Sequence, residues 1–169
     1  MNIVHDSIDS KAIAALQADG RASWADLGDA LGLSAPAAAE RVRKLTESGA
    51  IRGFTALLDP GAAGFPVLAF VAVTLASQGA RTTFLNAVRR HELIQECHHV
   101  AGDDYFPLKV RARSLTELEA VLAGELKGRL GIARTRTTIV LGTAKETSRL
   151  PVEVAVPSRR QPARTRRRR

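Results

Sequence analysis

The sequence predicts an α+β protein, with an N-terminal helix-turn-helix of three helices followed by a ferredoxin-like βαββαβ domain. Three observations lead there. Apolar residues recur at helical spacing between glycine stops over the first 50 residues, strand and helix patterns alternate from Val67 to Leu141, and Asp59-Pro60-Gly61 supplies a turn between the two regions.

Ile8, Ala12, Ala15 and Leu16 form the stripe of the first helix, which Gly20 ends. Ser23 caps a second, short helix with Asp26 three residues on, Leu27 and Leu31 facing inward and Gly32 closing it. Ser34 caps a third, with Pro36 tolerated in its first turn, Ala38, Val42 and Leu45 as its buried stripe, and Gly49 as its stop. Ile51 to Leu58 turns to a β pattern and reads as a linker strand. Val67 to Leu75 is a strand, Ala80 to His91 a helix with Phe84, Ala87 and Val88 inward, Leu93 to Val100 a second strand, and Tyr105 to Ala112 a third. Ser114 and Glu117 open a helix with Leu115, Leu118, Val121, Leu122 and Leu126 inward, and Gly131 to Leu141 is the last strand. The expected division is 1–50 helix-turn-helix, 51–66 linker strand and turn, 67–147 ferredoxin-like domain and 148–169 disordered basic tail. With both helices on one sheet face, the other face calls for cover, and a second copy of the chain is the economical cover.

Composition narrows the function classes. Apolar residues make up 45% and charged residues 25%, the balance of a soluble globular protein. No apolar run reaches the roughly 18 residues of a membrane span, and Met1 to Ser10 holds acids but no Lys or Arg, so neither a signal peptide nor an anchor is expected. Cys97 is the single cysteine, which excludes an intrachain disulfide and suits a reducing cytoplasm. The net charge of +8 misleads as a sum. Seven of those charges are Arg159, Arg160, Arg164, Arg166, Arg167, Arg168 and Arg169, so the body carries only about +1. Within the first 66 residues Arg41, Arg43, Lys44 and Arg52 follow a run of aspartates, an asymmetry that predicts one basic face.

A capped helix, a glycine-containing turn and a second capped helix with trailing bases is the arrangement that enters a DNA major groove. Ser34 to Glu47 is then the reader. Ala35, Ala37, Ala38 and Ala39 offer methyl contacts to thymine, Ser34, Glu40, Arg41 and Arg43 are the polar readers, and Arg41, Arg43, Lys44 and Arg52 the phosphate clamps. The same pattern also fits a packing module with a solvated basic face. The tail arginines either extend DNA contact through counterion release, as an architectural DNA-coating protein would, or are merely solvated. Cys97, His98 and His99 alternate across a predicted strand and cannot converge on a metal. Asp103 and Asp104 sit in a turn, where they hold a ligand's ammonium group or simply solvate the hairpin, and Thr135 and Thr137 share one face of the last strand. No catalytic motif, cofactor loop or metal set is present in the sequence, so no enzyme is expected.

Four ordered segments resemble the Lrp/AsnC, or feast/famine, family of transcriptional regulators, from about Ile8 to about Glu146. They are DGRASWADLGDALGLS at 19–34, RVRKLTESGAIRGFTALLDP at 41–60, VAGDDYFPLKVRA at 100–112 and TRTTIVLGTAKE at 135–146. The resemblance implies a winged helix-turn-helix dimer, often assembled into tetramers or octamers, that wraps or bends double-stranded DNA and responds to an amino acid bound between dimers. By the same resemblance Gly102, Asp103, Asp104, Tyr105, Thr135 and Thr137 line the effector pocket. Tyr105 stands where many members carry an acid, and Pro107 falls within a strand that they keep free of proline.

Overall fold

The computed structural model describes residues 6–101, 105–126 and 130–152, which divide into two compact units, 6–56 with 147–152 and 57–146. The first unit holds α1 (Ser7–Ala18), α2 (Trp24–Leu31) and α3 (Ala35–Glu47). Each helix starts on a side-chain cap. The Asp6 carboxylate accepts from the backbone N–H groups of Ile8 and Asp9, Ser23 Oγ accepts from Asp26 N, and Ser34 Oγ accepts from Ala37 N, replacing partners that a helix start lacks. The expected Ser23–Asp26 box is altered, since the Asp26 carboxylate accepts from the Ser23 hydroxyl at 2.7 Å. Ala12, Leu27, Leu31, Ala38, Val42 and Leu45 form the core, the stripes read from helical spacing. Gly28 is needed where α2 meets the start of α3, because a Cβ there would stand 2.8 Å from the Leu33 carbonyl oxygen.

The expected linker strand at 51–58 does not form a ladder. Ile51 folds back, its N–H donating to the Leu45 carbonyl, and no described residue pairs with 51–58; Phe54, Leu57 and Leu58 remain exposed. A strand pattern needs a neighbouring strand, and among the described residues of this chain none pairs with 51–58. The expected boundaries also shift. The first unit runs to 56, and it regains the chain at 147, so residues 147–152 belong with the helices and not to a separate tail. The anchor is Gln17, whose Nε2 donates to the Leu150 carbonyl at 3.1 Å while its Oε1 accepts from Leu150 N at 2.7 Å.

The second unit is a four-stranded antiparallel sheet in the order β2-β3-β1-β4, from β1 (Val67–Leu75), β2 (Ile94–Cys97), β3 (Tyr105–Ala112) and β4 (Ile132–Ile139). A short 3-10 turn leads into α4 (Arg81–Arg90), and α5 (Leu115–Ala120) continues as a π turn to Leu126. Alternation sorts the strands: Ala69, Val71 and Val73 of β1 and Phe106, Leu108, Val110 and Ala112 of β3 pack with Phe84, Val88, Leu118 and Val121. Leu115, expected inward, is 56% exposed, because α5 meets the core through its second turn and the π turn. Pro107 does not break β3, which runs through it opposite Ala72. Its carbonyl accepts from His98 N, but it has no N–H to return, which ends the β2 ladder at Cys97, short of the expected Val100. The sheet face away from the core carries cations beside its apolar residues. Leu68, Phe70 and Ala72 of β1 lie opposite Arg111, Lys109 and Pro107, and Glu146 holds both cations, donated to by Lys109 Nζ and, at 2.8 Å, by Arg111 Nη2.

Candidate nucleic-acid interface and effector face

Helix α3 buries one stripe, so its other positions are those open to a partner. Ala38 is fully buried beside Val42 and Leu45, which withdraws it from the expected thymine contacts. Ala35 and Ala39 are half-buried at the border, while Ala37, Glu40, Arg43, Lys44 and Glu47 are exposed. Ser34 is exposed, and its hydroxyl serves the helix cap.

Arg41 is the principal correction. Its Nη1 donates to Asp6 Oδ2 at 2.7 Å and to Asp9 Oδ1 at 2.6 Å, so it ties α3 to the start of α1 and is not a free phosphate clamp. The contact raises the arginine's pKa further. Asp6 is held below its ordinary value, first by the Asp9 backbone N–H and then by the Arg41 guanidinium. Arg43 is also engaged, with Nε and Nη2 on Glu40 at 2.8 and 2.6 Å and Nη1 on Glu47, and Lys44 Nζ stands 3.7 Å from Glu40. These pairs are exposed, which lets an incoming phosphate compete for them. Arg52 is exposed and makes no ion pair among the described residues. The expected single basic face is therefore internally neutralised, because aspartates distant in sequence and glutamates one helical turn away fold onto the bases. The Asp6-x-x-Asp9 spacing is itself a capping-box signal and the cue that was available for the α1 partner of Arg41. Trp24, 48% exposed at the start of α2, is a further surface aromatic beside the motif.

In the sheet unit, Gly102, Asp103 and Asp104 lie outside the described residues, and Tyr105 is described by its backbone alone. Register places Tyr105 at one end of the sheet. Tyr105 pairs with Thr74, which pairs with Arg134, and on the next rung Phe106, Val73 and Thr135 share the helix-side face. Thr137 follows two rungs further, opposite Val71, with Thr135 half-buried and Thr137 exposed. The same end holds a cleft of about 220 Å³ lined by Leu75, Ala76, Ser77, Gln78, Arg81, His99 and Phe106. His99 stacks on Phe106 at 5.1 Å between ring centroids, and the Arg81 guanidinium lies 5.8 Å from the Phe106 ring centroid.

Two family models match this arrangement in chain order, the AsnC-type helix-turn-helix domain over residues 6–46 and the Lrp/AsnC ligand-binding domain over 68–150. The chain belongs to the Lrp/AsnC family. It is 37% identical to the HTH-type transcriptional regulator FL11 of Pyrococcus horikoshii over 154 residues, covering 90% of this chain and 100% of that protein. To the leucine-responsive regulatory protein of Escherichia coli it is 38% identical over 151 residues, covering 88% and 92%. Among solved structures, an L-Met complex of a Neisseria meningitidis transcriptional regulator superposes with a TM-score of 0.82 at 25% identity, covering 88% of this chain and 97% of that one. Escherichia coli AsnC gives 0.79 at 26%, with 86% and 97% covered. This Lrp/AsnC chain is accordingly a DNA-binding transcriptional regulator with a small-molecule-responsive domain, in which α2 and α3 form the helix-turn-helix. Neither family model extends past residue 150, which leaves the basic C-terminal segment outside the Lrp/AsnC match. Among the described residues no group of three metal-ligating side chains gathers, and no helix is long and apolar enough to cross a membrane.

Proposed function

We propose that α3 reads DNA through Ala37, Glu40, Arg43 and Lys44, with Ala35, Ala39 and Arg52 at the edges, as a homo-oligomeric regulator acting in the cytoplasm. The observation that carries this reading is the outward stripe of α3, exposed while Ala38, Val42 and Leu45 lock the opposite face. Few of these groups hydrogen-bond bases, so sequence preference draws on methyl contacts and on DNA shape. Dimerisation uses the sheet face bearing Leu68, Phe70 and Ala72, of which Phe70 is 47% exposed. The effector is an amino acid or a related zwitterion at the sheet end described above. Asp103 and Asp104 suit an ammonium group, and Thr135 and Thr137 suit polar atoms. Similarity to proteins whose names carry leucine response and an L-Met complex supports that class.

A gel shift at about 150 mM salt, on DNA upstream of the protein's own gene and on scrambled DNA, tests the reading. Preference for the upstream fragment, altered by one member of an amino-acid panel, is the expected result. Equal binding to both would favour a second reading, an architectural protein that coats DNA, which the concentration of arginine beyond Ser158 favours on charge alone.

A further inference from the structure

The cleft at the Phe106 end of the sheet is lined by polar groups that the fold leaves idle. Among the described residues the side chains of Ser77, Gln78 and Arg81 make no hydrogen bond, and Arg81 makes no ion pair. Ser77 does not cap the short 3-10 turn that it precedes. Arg81 is half-buried, and its guanidinium lies 5.8 Å from the Phe106 ring centroid. A cation held on an aromatic ring keeps its N–H donors for another partner. Phe106 is itself only 3% exposed and is in contact with Phe84 and with His99, each at 5.1 Å between ring centroids. The wall of the cleft is therefore part of the sheet core.

The turn that carries these groups is fastened to the sheet. Ala76 N donates to the Gly131 carbonyl at 2.8 Å, and Ala80 N donates to the Ser77 carbonyl at 3.2 Å. Gly131, at φ +63°, permits the close approach, because a Cβ there would stand 2.5 Å from that of Ala80. The cleft is thus held in shape before any ligand arrives. Its volume of about 220 Å³ equals that of roughly seven waters in the liquid, room for about as many non-hydrogen atoms, and a nucleotide is too large for it. The described lining offers one permanent cation, a histidine, two neutral polar side chains and the apolar surfaces of Leu75 and Phe106, with no acid. One guanidinium matches one carboxylate through two parallel N–H bonds, whereas a phosphate dianion calls for more cations.

We infer that this cleft is the carboxylate-binding half of the effector site: Arg81 takes the acid group of a compact aliphatic amino acid, and Leu75 and Phe106 take its side chain. This rests on the reading that an amino-acid effector binds at this end of the sheet. Ser77 and Gln78 supply further donors for the carboxylate's remaining lone pairs. The described lining holds no counterpart for an ammonium group, so what the cleft selects is the acid group and the volume of the side chain. Arg81 is then the residue that separates a free acid from its neutral derivatives.

The test is calorimetric titration of three full-length proteins, wild type, Arg81→Gln and Arg81→Lys, with L-alanine, L-valine, L-leucine and L-methionine and with the carboxamide of each. Wild type is expected to bind at least one of the acids, and to bind the matching amide about ten- to a hundredfold more weakly, the usual size of a lost charged hydrogen-bond pair. Arg81→Gln is expected to weaken the acid by a similar factor and to leave the amide unchanged, a pattern that general damage to the domain does not produce. Arg81→Lys keeps the charge but loses the two-pronged donor, and its affinity for the acid should fall between the other two. Acid binding that Arg81→Gln leaves unchanged overturns the assignment of the cleft while the effector reading stands. Equal weakening of acid and amide by Arg81→Gln overturns it as well, since Arg81 would then act on the fold and not on the carboxylate. A wild type that binds none of the four acids overturns the inference together with the amino-acid reading on which it rests.

Discussion

The two units hold their shape by different means. Among the described residues, the helix-turn-helix core contains six buried apolar residues, two of them alanines, and no aromatic ring. The sheet core contains thirteen, with Phe84 and Phe106 in contact at 5.1 Å between ring centroids. Each fully buried large side chain contributes roughly 1.5–3 kcal/mol and an alanine much less, so the helical unit has the thinner margin. It leans accordingly on caps, on a close helix approach at Gly28 and on Arg41, whose side chain spans Asp6 and Asp9. The lesson is that a charge near a reading helix can belong to the fold before it belongs to DNA. In the sheet unit, by contrast, surface charge decorates a core that is already sufficient.

The contrast is open to measurement at several scales. Phe84→Ala should cost about 3–5 kcal/mol in the sheet unit, read as a lowered denaturation midpoint; a loss below about 1 kcal/mol would mean that its core is not the stronger one. Gly28→Ala should cost about 1–3 kcal/mol in the helical unit, because the Leu33 carbonyl is backbone and cannot move aside. DNA binding should fail with it while the sheet unit keeps its melting transition. Arg41→Ala should cost about 1 kcal/mol, discounted for partial exposure, and should appear first as stability and only second as DNA affinity. Its pH signature follows from Asp6, whose folded pKa is lowered. The stabilisation is present above the ordinary value of 3.8 and disappears as pH falls through the lowered value, so the Arg41→Ala deficit should be constant from pH 8 to about 5 and shrink below about 4. The smallest effect is expected for Arg43→Ala, which should leave the melting temperature unchanged and reduce the salt slope of DNA binding by about one if Arg43 reaches a phosphate. A stability loss there as large as that of Arg41→Ala would erase the distinction between the two arginines.

Most of the fold was legible because its signals are local. Ser23, Ser34 and Ser114 cap helices where their spacing to Asp26, the apolar stripe and Glu117 indicated, and the βαββαβ order follows the change of periodicity at Val67. The site was less legible. Ala38 fits both the buried stripe and the run of thymine-contacting alanines in the sequence, and the structure assigns it to the stripe with Val42 and Leu45. Arg41 looks like a clamp until Asp6 and Asp9, more than thirty residues away, fold against it. The linker at 51–58 has a strand's alternation without a strand's partner, and periodicity reports only the first.

By itself, the sequence determined the helices, the caps at Ser23, Ser34 and Ser114, the four strands and the family, because these depend on neighbours within a few residues or on ordered motifs. Tertiary structure decided which cations are free, where β2 stops and where the chain beyond Glu146 attaches. Those outcomes rest on pairings between distant segments, Arg41 with Asp6 and Asp9, His98 with Pro107, Gln17 with Leu150, and such pairings exist only once the chain has closed on itself.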